Sequence, residues 1–237
     1  MLTIDPARLE ASPGQWVLDA GCGQGRHSVA LQALGCHAVA LDLNPDDLRY
    51  TRYLLHNQRK ESGTEDNPLA EPVLRASAED LPFANGTFHH VMCSEVLEHV
   101  PNPQRALQEL TRVLKPGGTL ALSVPTPFTE AVYRLSSDEY FNSPGGHVRI
   151  LTPGRLREML RQCGHAPVDI HFEHSFHSVY WWVRCVFGLH DEAHPAIRNF
   201  RKMLTHVLFS PLLQRAEHTA DWFFPKSMVL YSRAVEG

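Results

Sequence analysis

Short apolar runs that end at a glycine or an acid alternate, along this chain, with longer segments whose apolar residues recur every three or four positions. Trp16 to Asp19 (WVLD) reads as a buried strand running into a glycine-rich turn. A helix from about Gly25 to Leu34, closed by Gly35, follows. His37 to Leu43 (HAVALDL) is a second buried strand, and Asn44-Pro45 supplies an N-cap and an N1 proline for a helix through about Arg59. The polar stretch Lys60 to Pro72 reads as a loop, Pro72 to Ala76 as a third strand and His89 to Ser94 as a fourth. Asn102-Pro103 opens a helix with Leu107, Leu110, Val113 and Leu114 on one face, and Lys115-Pro116-Gly117-Gly118 ends it. Thr119 to Val124 is a fifth strand, Thr152-Pro153 begins a helix through about Gln162, Val168 to Phe172 is a sixth strand and Ser227 to Arg233 a seventh.

This alternation predicts an α/β fold, a Rossmann-like seven-stranded, mostly parallel sheet with helices on both faces. Two connections are long enough to carry structure or function of their own, Pro125 to Ile150 and His174 to Phe224. The second contains Ile197, Phe200, Leu204, Val207 and Leu208 at helical spacing, and Ser210-Pro211 starts a further helix. The expected organisation is a core over residues 1–174, a helical cap inserted over 175–224 before the last strand, and that strand within 225–237. Little precedes the first strand, so the cover of a site is expected to come from this insertion. Its aromatics, Phe176, Tyr180, Trp181, Trp182, Phe187, Trp222, Phe223 and Phe224, read first as residues fixing the cap to the sheet. The sharper reading makes them an apolar acceptor pocket or a surface resting on lipid.

A chain of 237 residues suits one such domain with an embedded cap. Its formal net charge of −4 does not fit a protein that holds a polyanion by bulk charge, so no nucleic-acid partner is expected. Cys22, Cys36, Cys93, Cys163 and Cys185 form no CxxC pair, which reads as free thiols in a reducing compartment. The first residues lack the apolar core of a signal peptide and no run approaches a membrane span, so a cytoplasmic protein is expected.

The central motif is Val17-Leu18-Asp19-Ala20-Gly21-Cys22-Gly23-Gln24-Gly25-Arg26-His27. Glycines let the backbone turn sharply and let a ligand approach, and a strand–turn–helix aims free N–H groups at it. A tight turn with no ligand has the same pattern. Asp19 at the first strand end and Asp42 at the second sharpen the reading, because neighbouring strand ends can face one crevice. Asp42 suits a ribose diol, although it could also be an acid at a helix N-terminus. Asp19 suits a cationic ligand group and would repel a pyrophosphate, which favours S-adenosylmethionine (SAM) over a dinucleotide.

DAGCGQG, the acid in ALDLN, the stretch RASAEDLPFANGTFHHVMCSEVLEHV and the stretch LQELTRVLKPGGTLALSVP together resemble the class I SAM-dependent methyltransferases. The similarity is greatest to the subgroup of quinone-biosynthesis methyltransferases. It covers roughly residues 16 to 125 and, more faintly, 147 to 164. The resemblance implies that Asp19, Ala20, Gly21, Cys22 and Gly23 cradle the methionine part of SAM. It implies that Asp42 binds the ribose with Leu43 on the adenine, and that Ser77 and Ala78 meet the adenine edge. It also implies that Ser94, Glu95 and Val96 line the methyl-transfer face. The family often has an acid where this chain has Ser77, and Glu79 is the candidate substitute.

SAM carries an activated methyl group, so alignment and desolvation are the enzyme's main tasks, and a base helps when the acceptor is a hydroxyl. The candidate bases are His99, which also suits a structural or cofactor-shell role, and His147, which also suits a loop-anchoring hydrogen bond. The glycines before His147 imply an unusual backbone path, and Arg149 lies beside it. Glu95 and Glu98 are near, but acids after this strand read as solvated or capping. His171, His174 and His177 are three apart; with His171 in a strand and no acid or cysteine completing a set, they read as a histidine-rich surface or lid, and no metal is expected.

The leading expectation is methyl transfer from SAM to a small-molecule acceptor, an oxygen before a carbon or nitrogen. The alternatives are an NAD-dependent oxidoreductase, a macromolecule methyltransferase and a silent binding domain. Ser94-Glu95-Val96-Leu97 stands where enzymes of nucleic-acid amino groups often carry an Asn/Asp-Pro-Pro-aromatic run, which weakens the second of these.

Overall fold

The computed structural model describes residues 2–62, 72–142 and 147–234. Seven strands form one sheet: β1 (Trp16–Ala20), β2 (His37–Asp42), β3 (Val73–Arg75), β4 (Phe88–Ser94), β5 (Leu114–Pro125), β6 (His165–Glu173) and β7 (Ser227–Ala234). Their spatial order is β3-β2-β1-β4-β5-β7-β6. All neighbours run parallel except β7, which is antiparallel to both β5 and β6. The direction of winding reverses between β1 and β4, which opens a crevice beyond their carboxyl ends.

Strand side chains alternate between faces, and both faces are buried, so the strands are apolar throughout. Leu18, Val39, Val91, Leu120, Leu122 and Leu230 join one core. Val17, Ala38, Met92, Ala121, Val229 and Tyr231 join the other. The first core is covered by α3 (Pro103–Val113) and α6 (Pro153–Gln162), which contribute Leu107, Leu110, Leu156 and Met159. On the opposite side α1 (Arg26–Ala33) brings Leu31, and the segment before β1 brings Ile4 and Leu9. That segment is anchored where the backbone N–H of Asp5 donates to the Tyr231 hydroxyl at 2.8 Å. Around α2 (Pro45–Ser62), Leu48 and Leu55 pack on Ala40 and Val73.

Helix starts follow capping chemistry. Asn102 and Thr152 each accept from the backbone N–H three residues on, with proline at the first helical position. The long connection after β5 contains α4 (Pro127–Ser136) and α5 (Asp138–Asn142). The insertion between β6 and β7 contains α7 (Ser175–Phe187), α8 (Pro195–Phe209) and α9 (Pro211–Ala220). Ile197, Leu204 and Val207 are buried in α8, as their spacing predicts, but Leu208 is half exposed. The insertion's aromatics divide. Tyr180 is buried and packs with Phe176, Trp181 and Phe200, whereas Trp222 and Phe223 are about four-fifths exposed. Among the described residues no helix is long and apolar enough to cross a membrane.

Three boundaries differ from the sequence reading. Lys60 to Ser62 continue α2, and residues 63–71 of the expected loop lie outside the described residues. The sixth strand starts at His165, because β7 gives it a partner along its whole length. Lys115 to Gly118, expected as a turn, lie within β5 as an irregularity in its pairing with β4. A Cβ on Gly118 would stand 2.4 Å from the His89 carbonyl oxygen, a contact only glycine permits.

Gly118→Ala is therefore expected to destabilise the fold by about 2 kcal/mol, because the obstructing atom belongs to a strand backbone and cannot step aside. Gly154→Ala has open space around the new methyl group and sits inside α6, so it is expected to stabilise by about 0.5 kcal/mol. Urea midpoints of the two variants, read against the parent with an unchanged slope, check both.

Candidate functional site

The glycine turn folds back on β2. The N–H groups of Gly21 and Cys22 both donate to the Leu41 carbonyl, at 2.7 and 2.9 Å. The N–H of Gly23 donates to Asp42 Oδ2 at 2.8 Å, and the N–H of Asn44 donates to Asp42 Oδ1 at the same distance. Gly21, Gly23 and Gly25 all have positive φ, where side chains other than glycine are strained. A Cβ on Gly21 would lie 2.2 Å from Val96, so the turn sits directly against the loop that follows β4.

Beyond the turn lies a cleft of about 900 Å³. Of the expected site residues, Gly21, Cys22, Gly23, Asp42, Leu43, Ser77, Ala78, Glu79, Ser94, Glu95, Val96 and His99 line it. Asp19 and Ala20 do not; both are buried beneath the turn. His147 does not line it either but packs against His99, ring centroids 4.9 Å apart. Gly145 and Gly146, which the sequence reading connected with an unusual path, lie outside the described residues. The cleft also takes Leu2, and Gln24 and Arg26 of the central motif, to which sequence reasoning gave no role, and no described residue of α7–α9. The segment before β1 thus supplies part of the cover expected from the insertion.

Asp19 accepts a 2.6 Å hydrogen bond from the Ser28 hydroxyl at Oδ2, and its Oδ1 has no partner among the described residues. Burial pushes its carboxyl up to about 6, against the lowering effect of Ser28 and of the Arg26 charge. At the opposite wall Leu43 is 59% exposed, an apolar side chain beside the cleft with nothing covering it. Ser77 Oγ accepts from the Glu79 N–H at 3.1 Å, which leaves its own hydroxyl hydrogen available to a ligand. Glu79 spends one oxygen on the Asn102 N–H at 2.7 Å and so braces the start of α3.

Past β4 the polypeptide is strained and charged. Glu95 has φ of 57, in the left-handed region. Its carboxylate meets Lys226 Nζ at 2.6 Å and accepts from the Ser123 hydroxyl at 3.2 Å. Burial alone would raise the Glu95 carboxyl, but the charge and hydrogen bond of Lys226 override it and hold it below the usual range. This acid is neither solvated nor capping, contrary to expectation. Glu98 is not solvated either. It is buried with both oxygens unpartnered among the described residues, and burial beside Glu95 keeps its carboxyl well above the usual range.

His147 is paired with a residue that sequence reasoning missed. Its Nδ1 lies 2.7 Å from Oε2 of Glu130, which is buried on α4 and also accepts from the Tyr140 hydroxyl at 3.1 Å. The carboxylate fixes which ring nitrogen carries the proton and how the imidazole is turned, the arrangement that prepares a histidine to accept a proton at its other nitrogen. Arg149, beside it in sequence, donates to the carbonyls of Leu97, Val100 and Pro101 and so ties this return segment to the loop after β4.

Among the described residues, two clusters have donor sets that could hold a metal ion. Glu98, His99 and His147 bring one donor atom each within 4.8 Å of one another. His174, His177 and Glu217 do the same beyond the cleft. The second corrects the expectation that no acid completes a set with these histidines: Glu217 arrives from α9, forty residues further along the chain than His177. His171 does not join it; it lies 3.3 Å from Glu173 and stacks on Tyr231.

The residues present fit SAM. The turn leaves an open cradle at Gly23, where a Cβ would meet nothing within 4 Å. The cleft pairs a carboxylate suited to a ribose with an uncovered apolar side chain, and the unpartnered oxygen of Asp19 lies beneath its cationic end.

Comparison with known proteins agrees with this geometry. Residues 18–122 match the family model described as a methyltransferase domain. A ubiquinone biosynthesis O-methyltransferase of Xanthomonas campestris pv. campestris (strain B100) is 38% identical over 139 residues, 54% of this chain and 55% of that protein. The chain thus spans about half the length of that relative. Its namesake in Xanthomonas euvesicatoria pv. vesicatoria (strain 85-10) is 34% identical over 173 residues, 68% of this chain and 69% of that one. Among solved structures, a SAM-dependent methyltransferase from Mesorhizobium loti superposes with a TM-score of 0.61 at 17% identity, covering 96% of this chain and 94% of its own. A geranyl diphosphate C-methyltransferase from Streptomyces coelicolor A3(2) gives 0.61 at 13%, covering 97% and 75%. The sheet order, the glycine turn with its two strand-end acids, and these matches together show that the chain belongs to the class I SAM-dependent methyltransferases.

Proposed function

We propose that this protein transfers the methyl group of SAM to a hydroxyl of a small apolar acceptor, with His147 as the base. The observation that carries the proposal is the Glu130–His147 pair at 2.7 Å, set beside the end of the nucleoside cleft. SAM, when bound, supplies an electrophilic methyl group on a sulfonium centre. The O-methyltransferase names of the Xanthomonas relatives support oxygen as the atom methylated.

In this reading Asp42 holds the ribose diol. Each of its oxygens already accepts one backbone N–H, which orients the carboxylate and leaves its remaining lone pairs for the cleft. Leu43 covers one adenine face and the Ser77 hydroxyl donates to the ring edge. Arg26 meets the ligand's carboxylate, while the negative charges of Asp19 and Glu95 face its ammonium group. His147, with its Nδ1 hydrogen directed to Glu130, takes the acceptor's proton at Nε2 as the oxygen–methyl bond forms. Five unpaired cysteines suit a reducing compartment, and we place the reaction in the cytoplasm with no nucleic-acid partner. The α7–α9 insertion is the segment we assign to covering the acceptor.

Asp42→Ala is expected to weaken SAM binding by about 2 kcal/mol, the loss of a charged hydrogen-bond partner. Calorimetric titration with SAM checks this, and parent-like affinity would remove the ribose assignment. A second expectation follows from Asp19, whose carboxyl sits near 6. A bound cation favours the ionised acid and lowers that value, so binding takes up SAM and releases a proton. Affinity should therefore be full above about pH 6 and fall as the pH drops below it, and Asp19→Asn should flatten the profile. Affinity that is level from pH 7.5 to 5 in the parent would show that Asp19 does not sense the ligand.

His147→Ala is expected to lower kcat by roughly 100-fold or more, the usual share of a general base, with SAM affinity unchanged. Glu130→Gln should reproduce most of that loss. The deficit of His147→Ala should shrink with phenolic acceptors of lower pKa, which need less help to ionise. A loss independent of acceptor acidity would assign His147 to structure instead.

A further inference from the structure

The histidines at the β6–α7 corner have no part in methyl transfer, yet they are arranged for something. His174 has positive φ, 71, and is 5% exposed, an unfavourable conformation and position for an imidazole with nothing to hold. Its Nε2 lies 3.1 Å from the Thr3 hydroxyl, and its Nδ1 is buried with no partner among the described residues. One helical turn on, the Nδ1 of His177 is likewise buried and unpartnered. From α9, Glu217 is 3% exposed and its Oε1 also has no partner among the described residues. His177 Nδ1 and Glu217 Oε1 are 3.9 Å apart, too far for a hydrogen bond. One donor atom from each of the three residues lies within 4.8 Å of the other two. Orphaned buried donors and acceptors are costly, and three converging on one point call for an occupant.

We propose that His174, His177 and Glu217 bind a divalent transition-metal ion, zinc foremost, which fastens α9 to the β6–α7 corner. Two imidazoles and one carboxylate are borderline-soft nitrogen and hard oxygen donors, a set that suits zinc better than magnesium or calcium. Tetrahedral zinc with bonds of about 2.1 Å places its donors roughly 3.4 Å apart, so donors that now lie within 4.8 Å of one another need to close by at most about 1.4 Å. Three protein donors leave a fourth position, and His177, a third exposed, gives it an open side. Coordination through His174 Nδ1 puts the ring hydrogen on Nε2, which then donates to the Thr3 hydroxyl, the outer-shell bond that metal-bound histidines usually make. Burial, chiefly, together with the nearby charges of Lys226 and Arg26 holds His174 well below the usual imidazole range. It is thus neutral at physiological pH, the form that binds a metal.

The site reaches the cofactor cleft in two steps. Thr3 also accepts from Arg26 at 2.9 Å, and Arg26 lines the cleft. The backbone of the same corner is pinned to α9 independently of any metal, where the Ser175 N–H donates to Asp221 at 2.7 Å and the Ser175 hydroxyl donates to the Glu217 carbonyl at 3.1 Å. These bonds hold Glu217 near the histidines before an ion arrives.

The test uses the full chain, stripped with chelator and titrated with Zn²⁺ alone. Bound zinc is counted by elemental analysis after gel filtration, and thermal midpoints are read with and without the ion. The expected result is zinc retained by the parent with a raised Tm, both lost at least tenfold in affinity in Glu217→Gln and in His177→Asn. Because the Glu98–His99–His147 cluster could also take a cation, His147→Asn is the control and should keep the Tm response. His171→Asn should keep it too. The proposal is overturned if the parent retains no zinc, if Glu217→Gln and His177→Asn retain it like the parent, or if only His147→Asn loses it. Glu217→Gln keeps the shape of the buried side chain, and an unchanged far-ultraviolet circular dichroism spectrum separates loss of a ligand from loss of fold.

Discussion

The hydrogen bond from the Gly23 N–H to the Asp42 carboxylate is the contact on which the cleft depends. It joins the turn after β1 to the end of β2, on one side of the crevice that opens where the winding reverses between β1 and β4. With Gly21 and Cys22 sharing the Leu41 carbonyl, it converts a flexible glycine loop into a fixed wall. A glycine turn held this way costs less to organise when a ligand arrives, since its entropy has already been lost in folding. The same carboxylate that holds the wall is the group a ribose would meet, so one side chain sets both the shape and the chemistry of that end.

The other end is braced across the sheet rather than along it. Glu95 follows β4, its partner Lys226 precedes β7, and between them Ser123 of β5 donates to the Glu95 carboxylate. The strained backbone at Glu95 persists because the surrounding contacts over-determine it. A buried ion pair of this kind adds little net stability, because removing both charges from water offsets their attraction. What it does is specify: it fixes a residue lining the cleft relative to the strand that leads out of the insertion.

The sequence spoke most clearly where the signal was local. A polar residue followed by proline marks the starts of α2, α3, α6 and α9, and all four were readable from Asn44-Pro45, Asn102-Pro103, Thr152-Pro153 and Ser210-Pro211. The same signal stood unread at Thr126-Pro127 and His194-Pro195, where α4 and α8 begin. Acids at strand ends pointed to the crevice because parallel neighbours must end side by side. Glu130 and Glu217 were not legible, and for one reason. Each is an ordinary helical acid by its neighbours, and each acquires meaning only from a histidine brought by another element: His147, 17 residues on, and His177, 40 residues before. Arg26 was hidden differently, since an arginine in the first turn of a helix carries no pattern until the cleft beside it is seen.

The carboxyl groups near the cleft also show why position outweighs residue type. Glu95, at the cleft wall, and Glu98, fully buried, are three residues apart, yet they are driven in opposite directions. Glu95 has an ammonium group at 2.6 Å and stays ionised; Glu98 has no such partner, feels the charge of Glu95, and favours its neutral form. If both were ionised, two negative charges would stand close together at this end of the cleft, and Glu98 avoids that repulsion by keeping its proton. With the charge of Glu95 tied to Lys226 and Glu98 favouring its neutral form, the acid hydrogen-bonded to His147 is Glu130, which orients the ring. The two acids after β4 thus differ by what each meets: an ammonium group steadies one charge, and its absence lets the other carboxyl keep its proton.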